Sequence, residues 1–299
     1  MSTHVAAVPA TSEDLEAVAE LVAESDAALG HVAPIEVEQL RAFLAGVDLA
    51  QESWLLREGP RLVGAAWLIT RDPAVAAQFG WVHPGWLGHG VGTCLLELSE
   101  ARAREVGAAV VHADVDIADA AALHLLSGRG FRVVRHSYEM AIDLAGPPAE
   151  PVWSEGIRVA PFRREDARAF YDAGSEAFAE EWGFVPMAYG DFVRLRVDGG
   201  DTSLWFVAWD RDEIAGFVRC DAEYRGAGLV RMLGVRPRWR RRGIGEALLL
   251  YAFGAFHRRG QTRVTLGVDA ANPTGATRLY ERVGMRVTRE GATYEKALA

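Results

Sequence analysis

The chain has 299 residues, half of them hydrophobic, with 41 acidic against 32 basic side chains and a formal net charge of −9. That length predicts two domains of ordinary size, and the acidic balance argues against holding nucleic acid by its backbone. No apolar run approaches the ~20 residues of a membrane span, Met1-Ser-Thr-His-Val lacks the pattern of a secretion signal, and Cys94 and Cys220 make neither a disulfide framework nor a metal motif, so a cytoplasmic protein without metal is expected.

In chain order, a strand is predicted near Val5 to Val8. A helix follows, capped by Thr11 or Ser12, with Leu15, Val18, Ala19 and Val22 on one face. Strands at 53–57, 62–69 and near 78–82 lead into Val82-His-Pro-Gly-Trp-Leu-Gly-His-Gly-Val-Gly92. A helix over 91–106 stops at Gly107. A strand at 109–115, a helix at 119–128 and strands near 131–143 close the first half. Residues 144–156 hold three prolines and no period, which reads as a linker. The second half repeats the order. It has a helix near 164–179, strands at 203–209, 213–222 and 228–235, and a helix over 244–258 that stops at Gly260. A strand at 262–268, a helix at 273–283 and a closing strand near 291–297 complete it. This alternation predicts an α/β (α+β) layer structure in each half. The expected division is 1–145, a linker over 146–156, and 157–299.

The halves are also similar in wording. Val235-Arg-Pro-Arg-Trp-Arg-Arg-Arg-Gly-Ile-Gly245 answers the first glycine stretch 153 residues on, and Leu279-Tyr-Glu-Arg-Val-Gly-Met285 answers Leu125-Leu-Ser-Gly-Arg-Gly-Phe131. So long a period means a duplicated domain, not a solenoid. The charge is divided unevenly. Residues 1–150 hold 21 acidic and 9 basic side chains, net −12; residues 151–299 hold 20 and 23, net +3. A polyanionic small ligand therefore favours the second half.

The second glycine loop follows a strand and opens a helix. Glycines there let successive backbone N–H groups point outward at the positive end of a helix, a geometry that receives phosphate. Arg240, Arg241 and Arg242 add charge and forked donors. The spacing fits neither a dinucleotide fingerprint nor a Walker loop. Neither cysteine reads as an activated nucleophile.

Taken with Val268-Asp-Ala-Ala-Asn-Pro-Thr-Gly-Ala-Thr-Arg-Leu-Tyr280, this series resembles the Gcn5-related N-acetyltransferase (GNAT) superfamily, whose pyrophosphate loop reads Arg/Gln-x-x-Gly-x-Gly/Ala. Arg240, Gly243 and Gly245 match that loop, and Met285 stands where the family has Phe. The resemblance covers nearly all of 157–299 and, more weakly, 1–143, and implies two tandem GNAT-type domains, each a mixed twisted sheet flanked by helices. The two-copy arrangement is similar to that of the mycothiol synthases.

The resemblance implies acetyl-CoA as co-substrate and a small-molecule primary amine as acceptor. Leu233, Gly234 and Val235 would pair with the pantetheine arm and supply an oxyanion amide. The N–H groups of Arg240, Arg241, Arg242, Gly243, Ile244 and Gly245 would hold the pyrophosphate. Asn272 would meet the pantetheine amides, and Tyr280 would protonate the departing thiolate. The family's strand glutamate is replaced by Leu229, so Glu223, or Asp221, is expected to act as base through water. In the first half Leu87, Leu126 and Asp119 stand where Arg240, Tyr280 and Asn272 stand, so no catalysis is expected there; His83 and His89 are its loop histidines. Glu180, Glu181, Trp182, Phe184 and Tyr189 are candidates for the acceptor end of the cleft. Attack on the donor would be direct. Three alternatives stay open: acetylation of a cysteinyl amine as in the mycothiol synthases, a carrier-protein-bound donor, and a non-catalytic CoA-binding sensor. The pair of halves, already a pseudo-dimer, is expected as a monomer or a homodimer.

Overall fold

The computed structural model describes residues 6–31, 34–272 and 274–298. The signal reading of Met1 to Val5 and the start of the first predicted strand lie outside them. No helix among the described residues is long and apolar enough to cross a membrane.

The first half runs β1 (Ala7–Val8), α1 (Leu15–Ala28), α2 (Val37–Phe43), α3 (Leu49–Glu52), β2 (Ser53–Glu58), β3 (Arg61–Asp72), β4 (Val75–Val82), α4 (Val91–Glu105), β5 (Val110–Asp116), α5 (Ala120–Gly128) and β6 (Arg132–Asp143). The second runs β7 (Ile157–Pro161), α6 (Ala167–Phe178), α7 (Tyr189–Phe192), β8 (Trp205–Asp210), β9 (Glu213–Tyr224), β10 (Ala227–Val235), α8 (Ile244–Arg258), β11 (Arg263–Asp269), α9 (Ala276–Arg282) and β12 (Arg286–Ala297).

Local chemistry explains the boundaries. Thr11 caps the turn into α1: its hydroxyl accepts from Glu13 N–H, while Asp14 accepts Thr11 N–H at 2.9 Å, a reciprocal capping box. α8 buries Ile244, Ala247, Leu248, Leu249, Ala252, Phe253 and Phe256, a helical stripe laid on the sheet. It ends where Gly260 takes a left-handed turn. The region after α6, expected to cover the acceptor end of the cleft, is not a regular helix. It is irregular through 179–188 and then forms α7 and a π-helix, Val193–Asp198.

The chain divides into two compact units, 1–137 with 290–299, and 138–289. In the first, strands run β1-β2-β3-β4-β5 and are completed by the last stretch of β12. That stretch is antiparallel to β5 from Gly291↔Asp116 to Ala297↔Val110. In the second, the end of β6 lies on β11, followed by β10-β9-β8-β7. Leu144 N–H donates to Thr262 O at 2.7 Å, and Arg263 pairs with Asp143 at 2.7 Å.

This corrects the division expected from sequence, in which each half closed on its own last strand. The two closing strands exchange, so 138–145 belongs with the second unit and 290–299 with the first. Nor is 146–156 a free linker. Trp153 packs beside Tyr251 at 6.2 Å, and the Ser154 hydroxyl donates to the Arg242 carbonyl. Because the halves are copies, β5 and β11 offer equivalent edges, and local pattern cannot tell which closing strand each receives.

Each unit has its own core. α8 packs on one face of the second sheet with Phe206, Val218, Val230 and Leu266. On the other face α6, α7 and the π-helix cover Trp205, Val207 and Phe217.

Candidate active site

Two strands part at the centre of the second unit. β10 and β11 are parallel neighbours at Gly228↔Val264 and Leu229↔Thr265 and then separate. β10 stays paired with β9 through Val235↔Gly216, with one extra residue at Arg231 that breaks the register between Val230 and Met232. Beyond Leu229 one edge of β10 is therefore open. Arg236 N–H donates to Ala215 O at 3.0 Å, so by strand alternation Gly234 also faces β9, whereas Leu233 and Val235 face the gap. Gly234 is required by packing, since a Cβ there would come within 2.6 Å of the Phe217 ring.

The open edge runs into the arginine–glycine loop. Trp239, fully buried, fixes it by donating from Nε1 to Asp210 at 2.8 Å. Arg241 has φ of 62° and Gly243 of 76°, so two left-handed residues turn the backbone before α8. No side chain caps that helix; its first N–H groups, with the positive end of the dipole, are left facing outward. The three arginines do different things. Arg240 is an internal brace: Nε donates to Val235 O at 3.2 Å, one Nη to Ala177 O at 3.1 Å, and the other pairs with Glu180 at 2.9 Å. Its guanidinium therefore does not reach outward beside the glycines, contrary to the sequence expectation that all three supply phosphate donors. Arg242 lies 3.5 Å from Asp210. Arg241 is exposed.

Across the gap, Asp269 and Asn272 shape the turn after β11. Asp269 accepts Ala271 N–H at 2.7 Å, and Asn272 Oδ1 accepts Thr274 N–H at 2.9 Å. Asn272 Nδ2 donates to Glu181 at 3.0 Å. Glu180 and Glu181 thus pin the 179–188 segment across the mouth of the parted strands, one to Arg240 after β10 and the other to Asn272 after β11. Burial raises the Glu181 carboxyl above its ordinary value; the Asn272 hydrogen bond opposes this, and Asp269 adds to it. Tyr280, on α9, is buried, and burial first and Glu181 second push its phenol up to about 12. Glu181, Asn272 and Tyr280 form one cluster.

The sequence places Glu181 among candidates for the acceptor end of the cleft and does not connect it with Tyr280. The signal was weak, two adjacent glutamates in an aromatic loop 99 residues before the tyrosine. Glu223, the expected base, is not brought to the cluster. It sits at the β9–β10 turn, accepting Gly226 N–H at 2.7 Å, with Gln261 at 3.4 Å. It is at the far end of β10 from Val235, because the strand runs away from the turn. Asp221 is paired with Arg231. Burial raises both cysteine thiols, Cys220 strongly, so each stays protonated.

The first unit keeps the backbone of this site without its side chains. β4 and β5 pair from Val75↔Val110 to Gln78↔Ala113 and then part. Gly88 and Gly90 take the left-handed positions of Arg241 and Gly243. Leu126 replaces Tyr280, and Phe131 N–H meets Leu126 O as Met285 N–H meets Tyr280 O, both at 3.0 Å. His31 closes on Asp116 at 2.7 Å. His83 is held by Glu24 at 3.0 Å, and His89 packs on Trp86.

Comparison with known proteins finds the same family twice along the chain. The acetyltransferase (GNAT) family model matches residues 17–131 and again 165–285. The mycothiol acetyltransferase of Thermobispora bispora is 32% identical, with 92% of each chain covered. That of Streptomyces bingchenggensis is 34% identical, covering 97% of this chain and 92% of the other. Among solved structures, a GCN5-related N-acetyltransferase from Sphaerobacter thermophilus is 32% identical with a TM-score of 0.85, covering 98% of this chain and 95% of that one. A tandem GNAT protein from the clavulanic acid biosynthesis pathway shares the fold at 18% identity, with a TM-score of 0.80 over 98% of both chains.

Proposed function

The chain belongs to the acetyltransferase (GNAT) family, and from that premise we propose that its second unit moves an acetyl group from acetyl-CoA to a primary amine of a small molecule by direct attack. The observation that carries this reading is the open edge of β10 running into an uncapped, arginine-flanked helix start, with the Glu181–Asn272–Tyr280 cluster across the gap.

Acetyl-CoA supplies an acyl thioester and a diphosphate, and the groups present suit both. The outward N–H groups from Arg241 to Gly245 hold the diphosphate, Arg241 and Arg242 adding charge; the Arg240 N–H is turned inward, donating to Pro237 O at 3.2 Å. Leu233 and the Val235 N–H offer backbone partners to the extended pantetheine arm, as an added strand would, the Val235 carbonyl being held by Arg240. The Leu233 N–H is the donor best placed to take charge gathering on the thioester oxygen. Asn272 turns from Glu181 to the pantetheine amides. Glu181, with its raised carboxyl, takes the proton from the incoming amine, replacing Glu223 in that role. Tyr280 donates to the sulfur as it leaves. The protonated cysteines favour direct attack over an acyl-enzyme. The first unit, lacking the tyrosine and carrying 20 acidic against 10 basic side chains, net −10, is scaffold.

A second reading has its own support. Relatives named as mycothiol acetyltransferases match nearly the whole chain at 32–34% identity, which favours a cysteinyl amine as acceptor. The test is release of free thiol from acetyl-CoA across a panel of primary amines that includes cysteinyl glucosamine conjugates. Turnover with any of them supports acetyl transfer. Acetyl-CoA binding with no turnover on any amine, including the cysteinyl ones, would favour a sensor.

A further inference from the structure

Three arginines gather on the sheet face under α6 and the π-helix, away from α8, and the reaction just described does not use them. Arg219 on β9 stacks its guanidinium over the fully buried Trp205, 5.0 Å from the ring centroid. Its Nε is shut off from solvent and has no hydrogen-bond partner among the described residues. The contact recorded for one Nη is Met232 Sδ at 3.9 Å. The nearest carboxylate, Asp221, is engaged by Arg231 at the β10 bulge through both Nε and Nη2 on a single oxygen. Arg196, carried on the π-helix, adds its positive charge against Arg219. Arg219 and Arg231 therefore share one nearby carboxylate, and Arg196 brings further positive charge towards Arg219. A buried guanidinium donor with no acceptor is uncommon and costly, and π-helical turns concentrate at functional sites. Burial pulls Arg219 down to about 10, with Asp221 opposing, so it remains charged at neutral pH.

The location gives the cluster a use. Arg231 precedes Leu233 by two residues on the strand whose open edge faces the thioester, and Arg219 is level with Met232 in the ladder. We propose that Arg219, Arg231 and Arg196 form an oxyanion subsite that receives a carboxylate or phosphate carried by the amine acceptor, about 7 Å along β10 from the Leu233 amide. This assignment rests on the acetyltransferase reading of the same site. It narrows the acceptor class to small primary amines bearing an anionic group two to four bonds from the amine-bearing carbon.

The test uses matched amines on the full chain, titrated calorimetrically with and without saturating CoA. The pairs are β-alanine and β-alaninamide, 4-aminobutyrate and 4-aminobutyramide, and O-phosphoethanolamine and ethanolamine. The anionic member of at least one pair should bind about ten-fold or more tightly than its neutral partner. Arg219→Gln should abolish that preference. Arg231→Gln, at an exposed position, should weaken it even if the first variant folds poorly. Both variants should keep the wild-type affinity for acetyl-CoA, because neither side chain is among the groups assigned to the cofactor. Preference in the carboxylate pairs alone or the phosphate pair alone identifies which group the subsite takes. Equal binding within every pair, or a preference unchanged in both variants, overturns the subsite. Failure of the wild-type chain to bind acetyl-CoA would strike the catalytic reading, while anion preference measured without CoA still decides the arginine cluster.

Discussion

Tyr280, held at about 12, keeps its proton at any working pH. An ordinary thiol titrates near 8.5, so the phenol is too weak an acid to protonate such a thiolate outright, and its part is to donate a hydrogen bond as charge develops on sulfur. Tyr280→Phe should lower kcat by about 10²-fold and leave acetyl-CoA affinity unchanged, measured by thiol release and calorimetry. Its folded value lies above its unfolded value, so the phenol costs stability as pH rises from 10 to 12, a loss the Phe variant lacks. Glu181 follows the same sign. Its raised carboxyl favours the folded state while protonated and opposes it once pH has risen through the window above 4.5. Glu181→Gln should therefore melt higher at pH 7 while losing the acid limb of the kcat/KM profile; a retained limb would remove Glu181 as the base. Asn272 and Tyr280 stand in one short motif after β11 and the glycines in another after β10, so both groups could be picked out by spacing. Glu181 could not, since only the fold carries 179–188 over the turn after β11. Glu223 was misread because nearness in sequence to β10 is not nearness to its open end. Arg240 was recognised by type, but its guanidinium is spent on Val235, Ala177 and Glu180.

At the scale of elements, helices and strands followed the pattern closely. α4 and α8 begin at left-handed glycines and end near Gly107 and Gly260, and their stripes were visible at helical spacing. The exchange of closing strands was invisible, because it concerns which of two equivalent edges a strand joins. Its trace is Lys296, the chain's single lysine. On β12 it pairs with both oxygens of buried Glu100 at 2.7 Å and lies 5.5 Å from the Phe131 ring centre. His112 pairs with Glu295 at 2.9 Å on the neighbouring register position. Lys296→Ala leaves Glu100 with Arg104 at 3.3 Å and should cost about 1–3 kcal/mol, read by urea unfolding. No loss would mean that β12 is held to β5 by its backbone ladder alone.

For the whole molecule, the repeat and its charge asymmetry predicted two similar units with one equipped for a polyanion, and the parted strands in both units bear out the duplication. The boundaries were harder to read, since the prolines of 144–156 mark the crossover between copies and not the edge of a compact unit. A fragment spanning 138–289 keeps β6 on β11 and should unfold cooperatively. A fragment spanning 157–299 exposes the β11 edge, lacks the Ser154 bond to the loop, and should aggregate or melt earlier. The reverse order would reject the exchanged arrangement. Whether one unit alone holds acetyl-CoA is decided by calorimetric titration of acetyl-CoA into the full chain, Gly90→Asp and Gly243→Asp. One site per chain, kept in Gly90→Asp and abolished in Gly243→Asp, is the predicted result. Two sites, no site, or a single site lost with Gly90→Asp would contradict it.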